Sequence, residues 1–167
     1  MTKTASISLR FKRILKIFHI FSAGLWIGGT ASLTLLICLY HPQTPEELHA
    51  KSNLLMLIDY YIIAPGALGC SMTGLVYGFK TKYGFFRFKW ITAKWIINIL
   101  FIVFGALIVV PWLEYSITTS TSIQTVADES AKVIFTHISI NIIQWAVILF
   151  MLYLSVFKPW STSDMRE

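Results

Sequence analysis

Residues 90–113, WITAKWIINILFIVFGALIVVPWL, decide the fold. They carry a single charge, Lys94, and exceed the roughly 20 mostly apolar residues that take a helix across a bilayer. Working outward, the charged and polar punctuation leaves three more runs of that size, at roughly 14–40, 54–79 and 133–157. Of the 167 residues, 56% are hydrophobic and only 13% charged, far from the balance of a water-soluble domain. The reading is an all-α integral membrane four-helix bundle, a single domain over 1–167 whose first partner is the lipid bilayer. Only short connections separate the runs, so chemistry must sit inside the bundle or at its mouths.

Orientation follows from the basic residues. Lys3, Arg10, Lys12, Arg13 and Lys16 precede the first run; Lys80, Lys82, Arg87, Lys89 and Lys94 surround the middle connection; Lys158 and Arg166 follow the last. The other connections hold Glu46, Glu47 and Lys51, then Glu114, Asp128, Glu129 and Lys132, and are net acidic. Both termini are therefore expected on the cytoplasmic side. The net charge of +6 is a topology signal. With no basic patch apart from the membrane flanks, nucleic acid is excluded as a partner. The first run is long and lacks an A-x-A-like site, which predicts a retained span rather than a signal peptide.

Cys38 and Cys70 fall at different depths, which argues against a disulfide, and there is no C-x-x-C-H for covalent haem attachment. Small residues recur every four positions, at Gly66, Cys70, Gly74 and Gly78 in the second run and Gly24, Gly28 and Ser32 in the first. This spacing allows close helix approach in lipid and predicts that these faces point inward or meet a second copy in a homodimer. Alternatively, they clear space for a flat cofactor. Pro65 beside Gly66 predicts a bend in the second helix.

Ionisable groups within hydrocarbon are costly and mark function. His19 lies roughly 7 Å below the cytoplasmic boundary at 1.5 Å per residue, and Lys94 enters from the same side to a similar depth. Asp59 and His137 form a comparable outer pair. The two histidines differ in depth by roughly 15 Å in a core about 30 Å thick, whereas two nitrogens on one metal lie only about 4 Å apart. They belong to two sites, or one is not a ligand. His19, Ser22, Ala23, Trp26 and Thr30 form one helical stripe, Lys94, Asn98, Phe101 and Gly105 a second, and His137, Asn141 and Gln144 a third beside Trp145. A polar network fixing helix register, Lys94 snorkelling to the surface, and ligand binding all account for these stripes. Trp90 and Tyr83 fit an interfacial aromatic belt.

The segment Lys16-Ile-Phe-His19, followed by Trp26 and Gly28-Gly29, resembles the first helix of several small bacterial four-helix membrane families: the copper-resistance D type, relatives of unknown function, and the HemJ-type protoporphyrinogen oxidases. Tyr40-His41 and Lys94-Trp95 extend the resemblance faintly. It implies a b-type haem near the cytoplasmic side of a bacterial inner membrane, with His19 and Lys94 as axial ligands. The HemJ-type pattern has a Pro-Arg pair near the outer end of the first helix, where this chain has Leu33-Thr34-Leu35-Leu36-Ile37, so the likeness stops short of porphyrinogen oxidation. Gly28-Gly29 looks closest to the families of unknown function.

Three functions remain open on these residues. The leading one is a haem-b protein, with one or two haems, that moves electrons or acts as an oxidoreductase, linked to a quinone. Its cofactor-binding residues would be His19, Lys94, Trp26, Gly28, Asn98, His137, Asp59 and Asn141, with His19, Lys94 and His137 as metal ligands. The second is metal handling, copper included, by His41, His49 and His137 with Asp59, although Met56, Met72 and Met151 form no cluster. The third is an accessory bundle without catalysis.

Overall fold

The computed structural model describes residues 8–80, 89–119 and 123–159. Lys3, Lys82, Tyr83, Arg87 and Arg166 lie outside the described residues, as do the side chains of Lys80, Asp128, Glu129 and Lys132. Four helices are long and apolar enough to cross a membrane: span 1 (Leu9–Leu39), span 2 (Pro45–Phe79), span 3 (Lys89–Tyr115) and span 4 (Phe135–Phe157). The chain is a multi-pass, all-α membrane bundle. Its outer surface is apolar, with Ile17, Leu35, Leu107 and Phe135 among the side chains left to lipid.

The helices run beyond the apolar windows because local capping chemistry, not hydropathy, sets their ends. Span 1 begins at Leu9, where the Ser8 hydroxyl accepts from the Phe11 amide at 3.3 Å. Span 2 begins at Pro45, nine residues before the apolar run: Thr44 accepts from the Glu47 amide at 3.3 Å, and Glu47 reaches back to the Gln43 amide at 2.7 Å. Lys51, in the first turns of that helix, is only 4% exposed, and its ammonium donates to the carbonyls of Tyr40 at 2.7 Å and Ile37 at 3.4 Å. A charge inside the bundle thus satisfies the end of span 1, where a helix favours a cation.

Two prolines shape the interior. Pro65 and Pro111 each lack an amide hydrogen, and each ring would strike the carbonyl four residues earlier, on Tyr61 and Leu107. Both carbonyls fall inside single π-helical turns, Asp59–Ile63 and Gly105–Val109, closed by Ala64 N–H to Asp59 and Val110 N–H to Gly105. The wider turn accommodates the ring within a continuous helix. The irregularity expected at Pro65 is therefore a π turn one helical turn upstream, and Pro111 makes a second.

Spans 1 and 2 meet almost backbone to backbone. A Cβ on Gly66 would lie 2.7 Å from the Trp26 nitrogen and 2.9 Å from the Ser22 carbonyl, and one on Gly29 would lie 2.6 Å from Ile63. Gly66 is thus inward, as its spacing predicts. Gly24, Gly28 and Ser32 instead point outward: all three are exposed, and a Cβ on either glycine would meet nothing within 4 Å. Helical phase explains the reversal. At about 100° per residue, Gly24 and Gly28 each sit two positions, hence about 200°, from Trp26, which is buried at 5% exposure. The middle of the bundle is an apolar layer of Trp26, Ile63, Ala67 and Ile148, with Phe101 tilted against Trp26 at a centroid distance of 5.5 Å. A second apolar cluster, Ile37, Leu55 and Leu113, lies toward the opposite end from His19.

Candidate functional site

A cavity of about 620 Å³ opens between the spans at the end carrying Lys16 and Lys158. It brings together His19, Trp26, Lys94 and Asn98 from the expected set. Trp26, Tyr77, Trp90 and Trp95 line it as aromatic walls. Three ammonium groups, of Lys16, Lys94 and Lys158, line it with no carboxylate among its described residues. An anionic or partly anionic ligand therefore meets only favourable charge there.

His19 is held in one tautomer. The Thr73 hydroxyl commits its hydrogen to the carbonyls of Gly69 at 2.8 Å and Cys70 at 2.9 Å, so its oxygen accepts from His19 Nδ1–H at 2.6 Å. The imidazole lone pair then resides on Nε2, an assignment made from this network. Thr73 is 2% exposed, and the Cys70 thiol donates to the His19 carbonyl at 3.8 Å, so span 2 fixes both backbone and ring of the histidine. This is how proteins orient an imidazole ligand.

Opposite chemistry governs Lys94. Its ammonium donates to the Ser155 hydroxyl, which itself donates to the Met151 carbonyl at 2.9 Å, and it lies 5.3 Å from the centroid of the Trp90 ring. The face of that ring favours the charged form through a cation–π contact. Asn98 donates to Ser71 at 2.7 Å, while Asn98 Oδ1 and Trp26 Nε1 are buried without a partner among the described residues. Both orphans line or border the cavity and are available to a ligand.

The outer pair occupies a separate, smaller chamber of about 30 Å³, lined by Asp59, His137, Asn141 and Gln144 with Leu33, Ile37, Leu55, Val109 and Leu113. His19 and His137 line different compartments. Thr34 accepts from the Trp145 indole N–H at 2.9 Å and shares its hydrogen between the Thr30 carbonyl at 2.8 Å and Asn141 Oδ1 at 3.0 Å. Lys51 bonds backbone carbonyls rather than the Asp59 side chain.

Other expected residues are not gathered. Gly28 faces outward and lines neither compartment. His41 is exposed and donates to the Leu39 carbonyl at 3.3 Å, and His49, also exposed, donates to the Ile117 carbonyl at 3.2 Å. Among the described residues no group of three or more His, Cys, Asp or Glu side chains assembles. Cys38 and Cys70 are both free thiols. Trp90, read from its position as a belt residue, also walls the cavity.

Several side chains that line the cavity or bond His19 lie outside the expected set: Ser71, Thr73 and Tyr77 of span 2, Ser155 of span 4, and Lys158 at the mouth, where Lys16 of the Lys16-to-His19 segment also sits. Thr73 falls seven residues after Gly66, on the helix face that meets span 1, which is the signal that places it near His19. Compared with protein-family models, curated proteins and solved structures, the chain has no match.

Proposed function

We propose that the protein is a b-type haem-binding membrane protein that transfers electrons, drawing on a quinol, at the cytoplasmic side of a bacterial inner membrane. The observation that carries this reading is His19, its Nδ1 pinned to Thr73 and its Nε2 lone pair left free, on the wall of a cavity of about 620 Å³. That volume lies within the range of roughly 300–1,000 Å³ typical of small-molecule and cofactor sites. The residues present fit the group: an imidazole of set tautomer, indole walls for a planar macrocycle, and ammonium groups for its propionates.

His19, through Nε2, and Lys94, once deprotonated and released from Ser155, would hold the group. Lys16 and Lys158 would pair with the propionates. Bound there, the group supplies a one-electron couple whose potential is set by ligand identity and burial. The protein's own contribution is to orient the imidazole through Thr73, to exclude water with Trp26 and Phe101, and to neutralise anionic charge at the mouth. The basic flanks favour the cytoplasmic placement of this mouth. Metal handling by His41, His49 and His137 loses ground, because the three are dispersed over an exposed loop, an exposed helix face and a buried chamber.

The test is a reduced-minus-oxidised visible spectrum with haem quantitation on detergent-purified protein, comparing wild type with His19→Ala, Lys94→Ala and His137→Ala. Haem lost in the first two variants and retained in His137→Ala supports one site in the large cavity. Wild-type protein that stays colourless after haem reconstitution refutes it.

A further inference from the structure

The chamber around His137 is independent of the cavity's ligand and is built from polar groups that an apolar bundle would not retain for packing. His137 is 6% exposed, Asn141 7% and Gln144 4%. His137 Nε2 and Asn141 Nδ2 have no hydrogen-bond partner among the described residues. Leaving such groups dry forfeits the hydration they had in water with nothing in return. The space they share, about 30 Å³, exceeds the roughly 10–15 Å³ a single water requires. Asp59, first residue of a π turn, lines the same space.

We propose that this chamber is a proton-holding site, in which bound water bridges the Asp59 carboxylate, His137 Nε2 and the Asn141 amide. The bridging water accepts one hydrogen bond and donates others, which satisfies both orphan nitrogens and the carboxylate together. One excess proton has two resting places. It sits on Nε2 of His137 opposite ionised Asp59, or on the Asp59 carboxyl opposite neutral imidazole. Transfer between them requires the water to take a proton from one group and pass another to the second, so the net charge of the chamber is unchanged.

Charge facing the chamber comes from few directions. Spans 1 and 3 contribute only Leu33, Ile37, Val109 and Leu113. Span 2 contributes Asp59 and, one layer away, Lys51, which interacts electrostatically with His137 while bonded to Tyr40 and Ile37. Span 4 contributes His137 alone as a titratable group. With Lys51 the one cation near it among the described residues, a proton shared between one acid and one base is favoured over a bound metal cation. On span 4 only four residues, about 6 Å of helix, separate Gln144 of this chamber from Ile148 of the large cavity, and the apolar Trp26–Ile63–Ile148 layer fills that gap.

The experiment uses isotope-labelled full-length protein in lipid bilayers and solid-state NMR. Magnetisation transferred from water is expected to reach the His137 ring and the Asn141 side chain but not the Ile63 methyl groups, which line neither compartment. Over a pH titration, the Asp59 carboxyl and His137 ring signals are expected to change with a common midpoint, as coupled groups do. Asp59→Asn is expected to displace the His137 midpoint by at least about one pH unit, a tenfold change in proton affinity. A wild-type His137 ring that receives no water magnetisation, or Asp59 and His137 signals that titrate independently, overturns the proposal even where the variant fails to fold.

Discussion

Replacing Gly66 with Ala forces apart a backbone-to-backbone contact between spans 1 and 2. The new Cβ would lie 2.7 Å from the Trp26 backbone nitrogen and ordinary contact begins at 3.4 Å, so spans 1 and 2 must separate locally by about 0.7 Å. Neither neighbouring atom can rotate away, since both are backbone. A radial gap of roughly that size forfeits about a quarter to a half of the dispersion well for each pair across the interface, here Trp26 against Ile63 and Ala67. Overpacking of this kind costs about 1–3 kcal/mol. Alanine also gains about 0.8–1.0 kcal/mol over glycine in a helix, so the informative comparison is with Gly24→Ala, whose Cβ meets nothing within 4 Å. Both variants share the propensity gain, and their difference isolates the clash. Equilibrium unfolding in mixed micelles of mild detergent and dodecyl sulfate should place Gly66→Ala about 1–3 kcal/mol below Gly24→Ala. Equal stabilities would refute the backbone contact and the packing built on it.

Thr73→Val removes the acceptor for His19 Nδ1 at nearly constant volume, and haem titration should show affinity lowered about 10–100-fold, the usual cost of losing a partner that orients a ligand. Ala23→Leu projects three more carbons into the large cavity and should abolish haem uptake while leaving the unfolding midpoint near that of wild type. Lys51→Met strands the carbonyls of Tyr40 and Ile37 inside the bundle and should destabilise it by about 1–3 kcal/mol in the same unfolding assay. Raising the ionic strength should weaken haem binding to wild type, and the dependence should shrink in Lys158→Gln, because Lys16, Lys94 and Lys158 line the cavity with positive charge.

The four spans and the two depths at which ionisable groups meet are legible in the sequence, because hydrophobic length and the cost of buried charge act through composition. His19 with Lys94, and Asp59 with His137, share compartments as their depths require. Helix ends are less legible: hydropathy marks where lipid begins, whereas Thr44, Pro45 and Glu47 start span 2 well before that point. The small-residue spacing reads equally well on two helix faces. On span 2 it marks the buried side at Gly66, and on span 1 it marks the exposed side at Gly24 and Gly28, because Trp26 takes the inward position. Thr73 and Ser155 are ordinary hydroxyls in apolar runs, and only the packing of spans 1 and 2 and of spans 3 and 4 gives them partners. The chamber depends on Asp59 and Val109 converging from two spans across a π turn in each, and no local pattern encodes that convergence.

The two π turns also divide the protein into halves that can change separately. Residues lining the large cavity come after the turn in span 2, from Cys70 to Gly78, and before the turn in span 3, from Trp90 to Asn98. Those lining the small chamber, Leu55, Asp59, Val109 and Leu113, lie before or within the first turn and within or beyond the second. Each π turn holds one residue more than an α turn, which rotates everything on its far side by about 100°. Deleting one residue from Asp59–Ile63 would therefore swing Lys51, Ser52 and Leu55 off their present bearing while Cys70, Thr73 and Tyr77 kept theirs. The turns behave as a dial set between two compartments, so the lining of one can be re-registered against its neighbours while the lining of the other keeps its bearing.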